Sequence, residues 1–492
     1  MLRRGRRQLD GLTMNAKLPA PQLPSYDRPR LTPGIVHIGL GNFHRAHMAV
    51  YLDDLFAKGL GHDWAILGAG VREGDARMRE ALMAQDCLST VIELDPRGKS
   101  ARRIGAMIDF LPVQADNAAL VAAMARPEIR IVSLTVTEGG YFINPATGQF
   151  DPTHPEIAAD GPNPHRTAFG AIIAALKARR AAGVDPFTVM SCDNLPGNGQ
   201  VTQSAVVGLA RLSDPSLADW ITANVAFPNG MVDRITPATG PRERAMAAAF
   251  GLGDDPVPVT CEPFRQWVLE DNFPTGRPAL EKVGVTMTSH VHAFEMMKIR
   301  ILNGGHATIA YPGGLMDIEY VHEAMADPLV RGFLDRVELR EIIPYIPPVP
   351  DTAIGDYYRL IVERFSNPEV ADTERRLCLD GSNRQPKFIV PSIRDALAAG
   401  GSVDGLALVS ALWCRYCFGT TDSGTAIPPN DPNWDRLTAL AAAARDRPEA
   451  WLGMTEIYGD LGGNAAFASR FATHLRRLWD RGTRQVLEDF LR

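Results

Sequence analysis

Apolar positions follow two rhythms along this chain. Up to about residue 285 they come as short dense runs separated by glycine turns; beyond it they recur every three to four residues over long spans. A dense run reads as a strand buried on both faces, and a long stripe as a helix with one face in a core. Ile35, Val36 and Ile38 make the first strand, Gly39 and Gly41 fit a turn, and HRAHMAVYLDDLFAKG continues as a helix through Ala46, Val50, Leu52 and Leu55. Further strands are predicted at WAILGAGV, STVIEL, IRIVSLTV and FTVMSC, with helices at DARMREALMAQ, AFGAIIAALKARRAAG and NGQVTQSAVVGLARL. DPTHPEIAADGPNPHRT and NVAFPNGMVDRITPATG read as loops, the second carrying Asn229, Asp233 and Arg234. Past 285 the stripes EYVHEAMADPLVRGFLDRVELREII, DYYRLIVERF and AFASRFATHLRRLWDRGTRQVLEDFLR are helical, with PYIPPVPD as a connector. The fold class expected is α/β: an N-terminal extension (1–30), an α/β domain (31–288) and a mostly helical domain (289–492).

A length of 492 residues agrees with two domains. A formal charge of −6 and a pI near 6.0 exclude a general nucleic-acid binder, whose footprint would be basic. No apolar run approaches the ~20 residues of a membrane span. The start is basic but lacks the apolar core of a signal peptide, so Arg3, Arg4, Arg6 and Arg7 read as a solvated tail, with Met14 as an alternative start. Six scattered cysteines are too few for a disulfide framework in a chain this long. Cys414 and Cys417 form a CxxC inside LALVSALWCRYCFG, which reads as a buried helix, and nothing nearby completes a zinc set. The cytoplasm is the expected compartment.

The polar residues inside apolar surroundings carry the chemistry. In HVHAFEMMKIRILNGGHATIAY, a helix would set Asn303 about 60° and Lys298 about 80° from His306, beside Ile299, Ile301, Leu302 and Ile309. On spacing alone the plainer reading is stronger: a lysine reaching for solvent, an Asn-Gly-Gly break and a satisfied histidine. The alternative is a site, because a desolvated lysine loses basicity and can act as a proton acceptor. The strand–glycine turn–helix at Gly34–His47 would aim free N–H groups at a pyrophosphate, although His44 replaces the third glycine of that fingerprint. Asp75 or Glu73, after the second strand, could accept from ribose hydroxyls or cap the next helix, and an acid there favours NAD over NADP. Asp193, Asn194 and Asn198 follow a buried strand, on the ligand side of an open sheet. Together these suggest an alcohol oxidation in which Lys298 takes the hydroxyl proton, Asn194 and Asn303 donate to the alkoxide, and His306 holds a neighbouring hydroxyl. Glu295, three residues before Lys298, would pass the proton to water or form an ordinary surface pair. The scheme needs no metal.

GIVHIGLGNFHRAH, IVSLTVTEGGY, FTVMSCDNLPGNG, FPNGMVDRITP, CEPFRQWVLED and KIRILNGGH resemble the polyol-specific long-chain dehydrogenase/reductase family, from about residue 25 to the end. The resemblance implies an extended Rossmann-type domain followed by a helical substrate domain. It implies NAD-dependent, metal-independent oxidation of a secondary alcohol of a linear polyol, first D-mannitol to D-fructose, with a polyol or ketose as the small-molecule partner. By motif it makes Lys298 the general base and Asn194 and Asn303 the oxyanion donors. His306, Asp233, Val232, Arg376 and Arg384 become substrate contacts, and Glu295 a proton relay. Gly39, Gly41, Asn42, Phe43, Arg45, Asp75, Thr137 and Glu138 fall to the cofactor. DGSNRQPKF departs from the family's lysine at Arg384, a fork in place of a point charge. D-arabinitol, D-sorbitol and fructuronate chemistry therefore stay open, as does a non-catalytic NAD-binding regulator. A monomer or small homo-oligomer is expected.

Overall fold

The structure, a computed structural model, describes residues 18–144, 149–160 and 166–492. The arginine-rich start and Met14 lie outside the described residues. Five parallel strands form the central sheet: β1 (Pro33–Ile38), β2 (Ala65–Ala69), β5 (Met107–Phe110), β6 (Ile131–Leu134) and β7 (Thr188–Ser191), in the order β5-β2-β1-β6-β7. The chain runs outward from β1 in one direction and then returns to its other side, so the topological switch lies between β1 and β6. Ligands of open α/β sheets bind at that point. The register is level at that edge: Ile38 faces both Ala69 and Leu134, and Leu134 faces Ser191. Ile35 packs into one layer of core while Val36 and Ile38 pack into the other, as a strand covered on both faces requires.

STVIEL forms a strand, β3 (Ser89–Glu93), but outside the central sheet. It pairs antiparallel with β4 (Ser100–Ile104) and parallel with β9 (Val259–Cys261). A third sheet corrects the loop expected around Asp233. Gly230–Asp233 is β8, antiparallel to β10 (Gln266–Leu269), which also pairs with β11 (Thr286–Met287). Part of the other expected loop is helical, at Pro155–Asp160.

Beyond β11 the chain is helical, with a core of its own that Met231 and Val268 join from the sheets. The long stripe breaks at Asp327, whose side chain caps the Pro328–Val337 helix. The last helix, Ala465–Leu491, kinks at Gly482. Cys414 and Cys417 sit in the buried Asp404–Cys417 helix, and all six cysteines are free thiols.

Candidate active site

The edge where β1, β6 and β7 end opens onto three adjoining cavities. One, about 280 Å³, runs from Asp75 and Arg72 past Gly39 and Gly41 to Thr137. The second, about 600 Å³, shares Gly41 and Thr137 with the first and reaches Lys298, Asn303 and His306. The third, about 380 Å³, shares those three residues and continues to Glu295, Arg384 and Lys387. A single channel therefore connects the glycine turn to the polar cluster on the helical side.

Gly39 holds φ +99°, and a β-carbon there would lie 2.1 Å from the Thr135 carbonyl oxygen, so glycine is required at this turn. Gly41 faces open space where a ligand backbone can approach. Phe43 lines the second cavity, stacked on His47. Asp75 is the first residue of the Asp75–Met83 helix and accepts from the Arg72 N–H at 2.9 Å, so it closes the turn before the helix while lining the channel. Thr137 holds φ +68° and donates its N–H to Asp193 at 3.1 Å. Glu138 begins a short 3₁₀ turn, and its side chain lies outside the described residues.

Two expected cofactor residues make their hydrogen bonds within the protein, and one of them, Asn42, also lines the second cavity. Arg45 is buried beneath the turn and donates to the carbonyls of Gly41 and Val257 and to the Asn42 carboxamide. Asn42 in turn donates to Pro237 O and Thr239 Oγ1 at 3.0 and 2.9 Å. Asn42 braces the turn against the loop after β8 and Arg45 against the segment before β9, because a buried guanidinium needs acceptors on every side.

Lys298 opens a π-helical turn, Lys298–Asn303, set between the Val291–Met297 and Gly304–Leu315 helices. The helix continues through Gly304 and Gly305, so the expected Asn-Gly-Gly break does not occur. Lys298 is 5% exposed, and its Nζ donates to Asn194 Oδ1 at 2.5 Å and Val232 O at 2.8 Å. Burial lowers its pKa, Asp233 opposes that shift, Arg364 adds to it, and Glu295 opposes it weakly. A neutral amine with both hydrogens engaged would keep its lone pair for a third partner. Asn303 Oδ1 and His306 Nε2 are buried and without a hydrogen-bond partner. His306 stacks on Phe365 with ring centres 4.2 Å apart, and burial holds it neutral, its pKa well below the usual histidine range.

Glu295 accepts from the Gly197 N–H at 3.1 Å, and burial raises its pKa. Arg376 pairs with Asp372, and Arg384 donates to Leu377 O at 3.0 Å; both line the third cavity. Asp233 departs most from expectation. It lines the second cavity, but Arg364 grips both its oxygens, at 2.7 and 2.9 Å, and grips Glu262 as well. Arg364, Glu262 and the stacking Phe365 escaped the sequence reading. A signal existed: Arg364 falls three residues after Ile361 and seven after Tyr357, on the buried stripe of its own helix.

A dinucleotide-type switch point whose channel ends on a desolvated lysine, unpaired amide and imidazole groups defines the class, an oxidoreductase of the Rossmann type. Family models described as the mannitol dehydrogenase Rossmann domain and the mannitol dehydrogenase C-terminal domain match residues 33–282 and 290–479. The chain belongs to the mannitol dehydrogenase family. It is similar to the mannitol 2-dehydrogenase of Cereibacter sphaeroides, 71% identical over 470 residues, covering 95% of this chain and 98% of that one. Among solved structures it resembles Pseudomonas fluorescens mannitol 2-dehydrogenase in ternary complex with NAD and D-mannitol, at 43% identity and TM-score 0.86, covering 96% of this chain and 97% of that one. A substrate-free D-sorbitol dehydrogenase superposes equally well, at 36% identity and TM-score 0.87, covering 96% and 98%.

Proposed function

We propose that this enzyme interconverts D-mannitol and D-fructose, using NAD, with Lys298 as the general base. The observation that carries the reading is the Lys298 amine, held between Asn194 Oδ1 and Val232 O where the channel from the glycine turn meets the helical domain. The first two cavities fit the dinucleotide: Gly41 leaves room for close approach, and Asp75 stands where a ribose hydroxyl could donate to it. When bound, NAD supplies the two-electron acceptor.

The chain's own residues handle the proton and the oxygen. Lys298 takes the hydroxyl proton, which it can do only as the neutral amine. Asn194 spends its carbonyl on Nζ, which leaves its NH₂ to donate to the developing alkoxide, and Asn303 donates its own NH₂ from the other side. His306, neutral and with Nε2 unpaired, meets an adjacent hydroxyl. Glu295, in the same cavity, receives the proton from Lys298 and passes it toward water. Val232, Arg376 and Arg384 complete the polyol site.

A second reading has one observation in its favour. Arg384 and Lys387 share a wall of the third cavity, and the bonds Arg384 makes go to backbone carbonyls, which leaves its charge for a terminal carboxylate. Steady-state rates on mannitol, arabinitol, sorbitol and fructuronate, first with NAD and then with NADP, separate the two. Mannitol with NAD is expected to lead the panel, and a clear preference for fructuronate would overturn the mannitol assignment. Lys298→Ala separates an enzyme from a non-catalytic NAD-binding protein. The variant should lose about 10³-fold or more in kcat while still binding NADH.

A further inference from the structure

Arg364 joins the helical domain to the sheet domain at one buried point. It sits on the Ile354–Phe365 helix, 3% exposed at its side chain, with its guanidinium 4.2 Å from the centre of the Phe264 ring. Four charge-assisted bonds leave it: two to Asp233, on the last residue of β8, and two to Glu262, just after β9, all between 2.7 and 2.9 Å. Asp233 follows directly on Val232, whose carbonyl holds Lys298. One cation therefore neutralises one of two buried carboxylates and fixes the strand end on which the Lys298 amine rests.

We propose that Arg364 is a positioning residue for the reaction, clamping Asp233 and Glu262 so that the strand carrying Val232, and the charge facing Lys298, are both fixed. This rests on Lys298 being the base. Three charged groups act on Lys298 from the elements around it: Asp233 from β8, Arg364 from the Ile354–Phe365 helix and Glu295 from its own helix. His306 stays neutral. Asp233 is acted on in turn by Arg364, Lys298 and His47, and Glu262 by Arg364 and Asp233. The Tyr357 hydroxyl lies among the same charges, and burial keeps it protonated. Arg234 binds the Glu262 backbone carbonyl and pairs with Glu93 at 2.6 Å, so it is not free to replace Arg364.

The charge arithmetic gives two shifts of opposite sign. Arg364→Met removes a positive charge and leaves Asp233 to Lys298. The ammonium form gains, and the acid limb of kcat/KM for polyol oxidation should move up by about one pH unit. Glu262→Gln removes a negative charge and leaves the guanidinium wholly to Asp233. The ammonium form loses, and the same limb should move down. Arg364→Lys restores the charge without the fork, so its limb should return toward wild type while kcat stays lowered through the looser strand end.

The experiment is the pH profile of kcat/KM with D-mannitol and NAD for these three full-length variants, with thermal melting alongside. Should Arg364→Met fail to fold, Glu262→Gln carries the test alone. A limb that stays in place in both charge-changing variants while only Tm falls would reduce Arg364 to a fold-holding residue and overturn the proposal. Lys298→Ala keeps the two ideas apart. If it turns over at near wild-type rate the base assignment itself fails, whereas an inactive Lys298→Ala with unmoved limbs defeats only the role given to Arg364.

Discussion

Lys298 can accept a proton only when it is neutral, and its surroundings push it that way. Burial outweighs the pull of Asp233 and Glu295, so its pKa falls below the ordinary lysine value of about 10.4. Oxidation should therefore rise with pH through an acid limb lying under that value and then level off. Ketose reduction, which needs the ammonium, should fall over the same range. A pH profile taken in both directions checks the sign, and an oxidation rate flat down to pH 5 would exclude Lys298 as the titrating group. At this scale the sequence was informative where chemistry is local. Lys298, Asn303 and His306 lie within one stretch, and all three reach the same cavity. The Arg364 clamp was hidden for the opposite reason: its carboxylates lie 131 and 102 residues away, and no spacing rule links positions so distant. Arg45, which the resemblance gives to the cofactor, lies under the turn, where packing directs it inward onto carbonyls.

The element that makes the site is the wide turn at Lys298–Asn303. Gly304 donates its N–H to Ile299 O, five residues back, so the helix carries one residue more there than an α-turn allows. The α-helical angles expected from sequence do not hold across this turn. Asn303 and His306 are anchored by the buried Gly304–Leu315 helix, so the extra residue sets where Lys298 points. Deleting Ile299 would close the turn to α-geometry and remove the bulge that offsets the Lys298 backbone, moving its Nζ off the Asn194 and Val232 acceptors. We expect such a variant to keep its far-UV circular dichroism and NADH affinity but to lose at least ~10²-fold in kcat, the scale of a misplaced reacting group. An active deletion variant would show that the turn is incidental. Neither this turn nor β8 was legible in advance. A π-turn leaves the apolar spacing almost unchanged, and GMVD becomes a strand only because QWVL pairs with it. Strands β1, β2, β6 and β7 were legible because dense β-branched runs between glycine turns have few other uses.

Across the whole molecule, the helical domain packs around Gly304–Leu315, and that packing buries carboxyls that the reaction scheme leaves aside. Glu338 is fully buried, and neither of its oxygens has a hydrogen-bond partner. It packs on Gly305, where a β-carbon would stand 3.3 Å from Oε1. Burial alone drives its pKa well above the usual carboxylate range, so it is a neutral acid in the folded chain. The unfolded chain ionises this group near pH 4.3. A raised folded pKa gives stability that is fully present below the unfolded value and is lost as pH rises toward the folded value. Glu338 therefore costs the fold progressively more as pH climbs through the neutral range. Glu338→Gln keeps the shape of the neutral acid and removes the titration. Its Tm should match wild type near pH 4 and exceed it increasingly toward pH 8, with the gap read by thermal melts across that range. Equal Tm differences at every pH would mean that Glu338 is ionised in the fold and finds its compensation from groups around it. The neutral form agrees with its position, since an ionised carboxylate without a partner at this depth would cost several kcal/mol.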